Sequence, residues 1–158
     1  MYNRFVTVYF VNGENIMEKP INVLGRLVII DQGNLLVVKK ADWTFLPGGH
    51  VEYNEGVKDT ILRECVEEFG GNVEVGELMG VLEHSFEDKN GPYHEINFVF
   101  AGKLLDMNYP QVPKSLEDDL EVIWIPLDKL EEKNLLPKEI WPMIKGEFGG
   151  KWMSTMEK

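Results

Sequence analysis

The spacing of apolar residues predicts a mixed α/β fold, with helices packed on a central sheet. Three observations carry that prediction. Apolar runs at residues 22–30 and 35–38 flank Asp31-Gln32-Gly33-Asn34 and read as a β-hairpin. A helical period occupies residues 55–69, opened by Asn54 as its cap and stopped by Gly70-Gly71. Strand-like runs then return at 78–86, 95–100 and 122–126.

The remaining elements follow in order. Residues 5–11 read as a strand turned by Asn12-Gly13. The segment Trp43-Thr44-Phe45-Leu46-Pro47-Gly48-Gly49 is apolar and ends in turn residues. A polar loop over 87–93 joins the two strands after the helix, and short helical pieces are expected around 127–133 and 138–148, the second limited by Pro142. There is no internal repeat, low-complexity tract or long linker, so 158 residues are read as a single domain spanning 1–158.

Charge narrows the function classes. Sixteen basic residues stand against 27 acidic ones, a net charge of -11. A groove for long nucleic acid needs phosphate neutralisation by Lys and Arg, so the charge argues against that class and ranks it last. A small phosphate ligand remains compatible, because a bound metal ion inverts the local field. The one cysteine, Cys65, forms no intrachain disulfide, and no apolar run reaches bilayer length. A cytoplasmic address and no membrane partner are expected.

On a helical wheel, Ile61, Leu62, Cys65, Val66 and Phe69 form one broad arc, while Glu64, Glu67 and Glu68 fall together on another. Arg63 sits at the edge of the acidic arc, one turn before Glu67. Like charges at i, i+4 oppose the helix, and Glu67 and Glu68 also lie in the last turn, where the macrodipole favours cations. A divalent cation would explain the cluster, since hard carboxylate oxygens suit Mg²⁺ or Mn²⁺. A plain solvated acidic face is the alternative reading of the same three residues.

The surrounding sequence separates the two. Gly49, five residues, Glu55, seven residues, then Arg63-Glu64-Cys65-Val66-Glu67-Glu68-Phe69-Gly70 resembles the signature of the Nudix hydrolase family. The lead-in Trp43 to Gly49 and the downstream Val122-Ile123-Trp124-Ile125-Pro126-Leu127 and Leu135-Leu136-Pro137 resemble the family's flanks. Two slots depart from the pattern: Cys65 and Gly71 stand where aliphatic residues are usual, with Val73 placed to fill the second pocket.

The resemblance implies a Nudix-type α/β/α sandwich with a central mixed β-sheet, its catalytic helix following a Gly48-Gly49 loop. It implies metal-dependent hydrolysis of a diphosphate linkage in a nucleoside diphosphate derivative, with Mg²⁺ as cofactor and Mn²⁺ as an alternative. Glu67 and Glu68 would be the main ligands, Glu64 a ligand or the residue that orients and deprotonates water, and the Gly48 carbonyl a further ligand. Arg63 and Glu55 would form the ion pair that fixes the loop to the helix. A nucleoside triphosphate and a nucleotide sugar are equal favourites as substrate. The proline or tyrosine that marks two subgroups some sixteen residues beyond the box is out of register here, where residues 86–90 stand. The alternative function is a non-catalytic nucleotide-sensing module, although such domains tend to lose the box glutamates and all are present here. The resemblance allows a homodimer, and no segment specifies its interface.

Other residues carry two readings each. His50 reads as a surface-loop histidine sooner than a ligand, and Glu52 as loop polarity. Glu95 faces either the site or solvent. Glu117, Asp118, Asp119 and Glu121 read as a solvated loop that could also bring in a ligand or base. Trp43, Phe45 and Tyr93 read as core aromatics, with base stacking as the alternative.

Overall fold

Strand β3 (Ile21–Asp31) is the element from which both halves of the sheet grow. Residues 21–29 run parallel to β8 (Gly91–Leu104), Leu24–Arg26 pair on the other edge with β6 (Gly48–His50), and Ile30–Asp31 turn into β4 (Asn34–Lys40). The turn is Gln32-Gly33, both with positive φ (47° and 77°), as a two-residue hairpin requires. The computed structural model describes residues 20–157 and, by backbone alone, the antiparallel strands β1 (Val8–Val11) and β2 (Glu14–Met17). The strand expected at 5–11 is therefore seen over Val8–Val11, and its turn at Asn12-Gly13 lies outside the described residues.

From β4 the sheet continues antiparallel to β9 (Glu121–Pro126) and to β5 (Trp43–Phe45), and β5 runs parallel to β10 (Leu135–Leu136). On the far side β8 pairs with β7 (Val73–Asp88), which pairs in parallel with β11 (Trp152–Ser154). The sheet is thus mixed.

Alternation along β3 and β4 divides the interior into two cores, because successive side chains point to opposite faces. Leu27, Ile29, Leu36 and Val38 meet Ile61, Cys65 and Phe69 of helix α1 (Val57–Phe69). Val28, Leu35 and Val37 meet Ile140, Met143 and Ile144 on the opposite face. Burial on both faces explains why these strands read as continuous apolar runs. The result is an α/β/α sandwich, as expected, with α1 on one face and the C-terminal turns and α2 (Trp141–Ile144) on the other. Val73 lies in the helix-side core beside Cys65, the place expected for it opposite Gly71.

Three expectations are corrected. Residues 87–93 are not a loop: β7 and β8 extend to Asp88 and from Gly91, leaving only Lys89-Asn90 as the turn, where the Asn90 N–H donates to Asp88 Oδ1 at 2.7 Å. The C-terminal helical pieces shrink to 3-10 turns at Leu127–Lys129 and Lys138–Ile140 and to the four residues of α2, whose first turn holds Pro142. Gly48 and Gly49 form a short strand, not a loop, because their backbone pairs with Gly25 and Arg26.

Helix α1 presses closely on β3 at Gly25. A Cβ there would lie 2.8 Å from Ile61 Cγ1 and 3.0 Å from the Val57 carbonyl. Gly25→Ala is therefore expected to push the helix off the sheet and destabilise the fold by about 1–3 kcal/mol. The urea midpoint checks this, and an unshifted midpoint would refute the close packing.

Candidate active site

The helix begins two residues later than the sequence suggests. Its N-cap is Gly56, not Asn54, which adopts a left-handed φ of 64°. The reason is Glu55, whose carboxylate is held outside the helix by four donors. Arg63 Nε and Nη2 reach it at 2.8 and 3.0 Å, Thr60 Oγ1 at 2.7 Å and the Glu52 N–H at 3.1 Å. The Arg63 hydrogen bonds hold Glu55 well below the usual carboxylate range, at about 2, and raise the Arg63 pKa in turn. Arg63 also donates to the His50 carbonyl (3.2 Å), Glu64 Oε1 (3.0 Å) and Glu67 Oε2 (3.2 Å). The expected Glu55–Arg63 pair is present as part of a larger hub. At the far end, Gly70 turns left-handed (φ 62°), and the N–H groups of Gly70 and Gly71 take the Val66 and Cys65 carbonyls.

The buried arc of α1 is not the expected one. Leu62 and Val66 are exposed, and the buried residues are Thr60, Ile61, Cys65, Glu68 and Phe69. On the wheel this moves the buried stripe by roughly 80°, which puts Glu68 at its centre. Glu68 is 6% exposed and accepts a hydrogen bond from the Gly48 N–H at 3.3 Å. Burial raises its pKa to about 8, only partly offset by the Gly48 hydrogen bond and Arg26. Burial likewise raises that of Glu64, opposed by Arg63. Glu67 stays half-exposed at the rim against Arg63.

Glycine makes room for these carboxylates. A Cβ at Gly49 would lie 2.4 Å from the Glu64 carboxyl carbon, and Gly48 sits at φ 123° with its Cα turned to the Gly25 carbonyl. Gly48, Gly49, Glu64, Glu68 and Glu117 line one pocket of ≈ 250 Å³. Glu117 thus joins the site, whereas Asp119 and Glu121 pair with Lys40 (2.6 Å) and Lys39 (3.7 Å) on the surface, and Asp118 is exposed. His50 also lines the pocket, so it is not a surface-loop residue; burial, then Arg26, lowers its pKa. Glu52 is exposed.

Arg26 and Asn97 are site residues that the sequence reading missed. Both are buried, at 8% and 0% exposure. Arg26 Nη1 donates to the Leu46 and Gly48 carbonyls at 3.2 and 3.1 Å, and Nε reaches Asn97 Oδ1 at 3.5 Å. Asn97 Nδ2 donates to Glu95 Oε2 at 3.4 Å. The available signal was a lone arginine inside the apolar run at 22–30, where a buried charge requires partners.

This chain of polar groups leads into a second cavity of ≈ 600 Å³, which shares Arg26 and Phe45 with the first. Glu95 is buried and lines this second cavity, so it does not face open solvent. Phe86 and Tyr93 stack across β7 and β8 with centroids 4.9 Å apart and planes 7° apart, and His84 extends the stack at 5.3 Å. Trp43 lines the same cavity and is half-exposed, not core; Phe45 touches both the cavity and the helix-side core.

A family model for the NUDIX domain matches residues 22–145. The chain belongs to the Nudix family. A MutT-like protein of Streptomyces ambofaciens is 40% identical over 62 residues, 37% of this chain and 40% of that one, so the match spans about two fifths of that relative's length. Among solved structures, the MutT protein of Methanosarcina mazei Go1 matches with a TM-score of 0.64 at 24% identity, over 83% of this chain and 95% of that one. An ADP-ribose pyrophosphatase of Streptococcus suis matches with a TM-score of 0.55 at 18% identity, over 85% and 98%.

Nudix hydrolases in general need divalent metal ions, and the donor set here fits one. Glu64 and Glu68 supply hard oxygens from one pocket, and the buried Glu68 has no cationic side chain hydrogen-bonded to it. Among the described residues no three acidic, histidine or cysteine side chains are yet drawn together around one point, because Glu67 is engaged by Arg63.

Two opposite pH responses follow for the Nudix helix in chelator. The depressed Glu55 pKa means its stabilising contribution is present above about 4.5 and is lost as pH falls through about 2. Glu55→Gln should lower stability by about 1–2 kcal/mol at pH 7, with the difference vanishing near pH 2. The raised Glu68 pKa acts the other way: stability is fully present below about 4.5 and is lost as pH rises through about 8. Glu68→Gln should flatten that decline, and denaturation curves across pH check both; an unchanged slope would refute the burial of an unneutralised carboxylate.

Proposed function

We propose that this chain, as one domain, hydrolyses a diphosphate linkage in a nucleoside triphosphate or nucleotide sugar. The products are a nucleoside monophosphate and pyrophosphate or a phosphorylated fragment. The observation that carries the reading is Glu68, a carboxylate buried at the centre of the helix face beside Glu64 and the two glycines. Nothing in the fold's own packing calls for a charge there.

Glu64, Glu67, Glu68 and the Gly48 carbonyl would hold Mg²⁺, or Mn²⁺ in its place, with Glu67 released from Arg63 to join them. When bound, the ion would neutralise diphosphate charge and lower the pKa of a water, so that loss of its proton leaves a nucleophile for phosphorus. Glu64, as a ligand or from beside the ion, would orient that water and take its proton, since it lines the same pocket as Glu68. Arg63, acting through Glu55 and the His50 carbonyl, keeps β6 and α1 at fixed separation and is a positioning residue. Arg26 fixes the Gly48 carbonyl and offers the nearest buried positive charge to a phosphate.

A small nucleotide as ligand agrees with two joined cavities and with the net charge of -11, which opposes long nucleic acid. Among the described residues no helix is long and apolar enough to cross a membrane. A cytoplasmic location is our reading of the single unpaired cysteine.

The test is incubation with Mg²⁺ and a panel of nucleoside triphosphates and nucleotide sugars in ¹⁸O-labelled water, read by phosphorus NMR. Metal-dependent cleavage is expected, with kcat reduced about 10²–10⁴-fold in Glu64→Gln and in Glu68→Gln while the circular dichroism is retained. Glu67→Gln should lose most activity as well. Full activity in Glu68→Gln would sink the assignment, and nucleotide binding without turnover of any substrate would favour a sensing module.

A further inference from the structure

The lining of the larger cavity is rich in acceptors. Glu87, Asp88, Glu95 and Glu139 face Arg26 and Lys138. Phosphate is repelled from such a wall, so the anionic part of a ligand is directed to the Arg26 end and the rest of it into the cavity. There the half-exposed Trp43 indole offers a flat apolar face.

Glu95 is the carboxylate in that wall least open to water, at 5% exposure. One oxygen accepts a long bond from Asn97 at 3.4 Å, and no other hydrogen bond or ion pair reaches the side chain among the described residues. Asn97 is itself held by Arg26, so the carboxylate has a fixed direction. A carboxylate oxygen accepts hydrogen bonds, and Glu95 lines the cavity with room for donors from a ligand. A partner with two adjacent N–H groups on one edge satisfies both oxygens together. Among the common bases, guanine alone presents such an edge, its ring N–H beside its amino group. Adenine and cytosine place a lone pair next to the amino group, and uracil flanks its N–H with carbonyls, which a carboxylate repels. Hypoxanthine keeps the ring N–H and lacks the amino group.

We propose that the cavity seats a nucleobase with a guanine-type edge and that Glu95 reads that edge. The inference rests on the nucleotide hydrolysis proposed above, since it concerns the nucleoside half of that substrate.

Calorimetric titration of the intact protein with GMP, IMP, AMP and UMP tests it without turnover. GMP should bind tightest, IMP about tenfold more weakly for the one lost charge-assisted bond, and AMP and UMP about a hundredfold more weakly. In Glu95→Gln the GMP-to-IMP ratio should fall to about one. The wild-type series decides the base on its own, so the proposal stays testable if the variant does not fold. AMP or UMP binding as tightly as GMP, no detectable GMP binding, or a guanine preference that survives in a folded Glu95→Gln protein would each overturn it. Magnesium-dependent cleavage without base preference would overturn the base assignment and leave the hydrolase reading standing. Guanine-selective binding with no cleavage of any substrate would do the reverse.

Discussion

The guanidinium of Arg63 joins three pieces of chain that the sheet alone does not hold together. Two of its nitrogens take both oxygens of Glu55, one of those also takes the His50 carbonyl, and the third reaches Glu64 and Glu67. The strand of glycines, the loop after it and the helix thereby move as one body. Lysine carries the same charge but only a point donor, and it could not span these partners at once. Because the pair is partly shielded from water, its hydrogen bonds are worth more than those of the exposed Lys39–Glu121 pair. A late helix start is the local consequence, since Glu55 cannot be helical and also turn its carboxylate back to Arg63 and the Glu52 N–H.

With that body fixed, the helix presents a carboxylate, not an aliphatic side chain, to its own core. Glu68 lies between Ile61 and Glu64 on the buried arc, in a last turn where the macrodipole disfavours negative charge. The apo protein accommodates it by raising its pKa, which is the response of a buried acid without a counter-charge. In the proposed function, folding stability and metal binding would be coupled at this one group, because an ion that neutralises Glu68 would offset the cost of burying it.

Most of the architecture was legible in the sequence because it depends on period. Runs buried on both faces, such as those of β3 and β4, show as unbroken apolar stretches, and the 55–69 segment shows as a helix. The Glu55–Arg63 pair was legible too, since its partners, with Glu64 and Glu67, interact over short sequence distances. What failed was orientation. Counting Leu62 and Val66 as buried rotated the helix, because a wheel scores Glu68 as solvent-facing and cannot see the Gly48 N–H twenty residues away. The places of Arg26 and Asn97 were hidden for the same reason: their contact crosses from β3 to β8, 71 residues apart. The hairpin loop was overestimated because Glu87, Asp88 and Lys89 are polar, yet strand pairing continues through Asp88 once backbone partners exist.

A protein with net charge -11 that is to bind a diphosphate, as proposed, must concentrate positive potential where it is needed. Arg63 is not available for that task, since three carboxylates share its charge. Lys40, though it lines the catalytic pocket, is tied to Asp119 at 2.6 Å. Arg26 is left as the basic side chain common to both cavities, and its planar fork explains how it can be buried. One nitrogen is spent on the Leu46 and Gly48 carbonyls and another on Asn97, which leaves the guanidinium compensated by neutral acceptors and not by a carboxylate. Among the described residues its field is therefore not cancelled by a direct ion pair, and it sits between the pocket of Glu64 and Glu68 and the acidic lining of the larger cavity. A ligand that bridges the two cavities meets a hinge of opposite sign at that point, which is where the first phosphate of a nucleotide has to lie if its base is in the larger cavity.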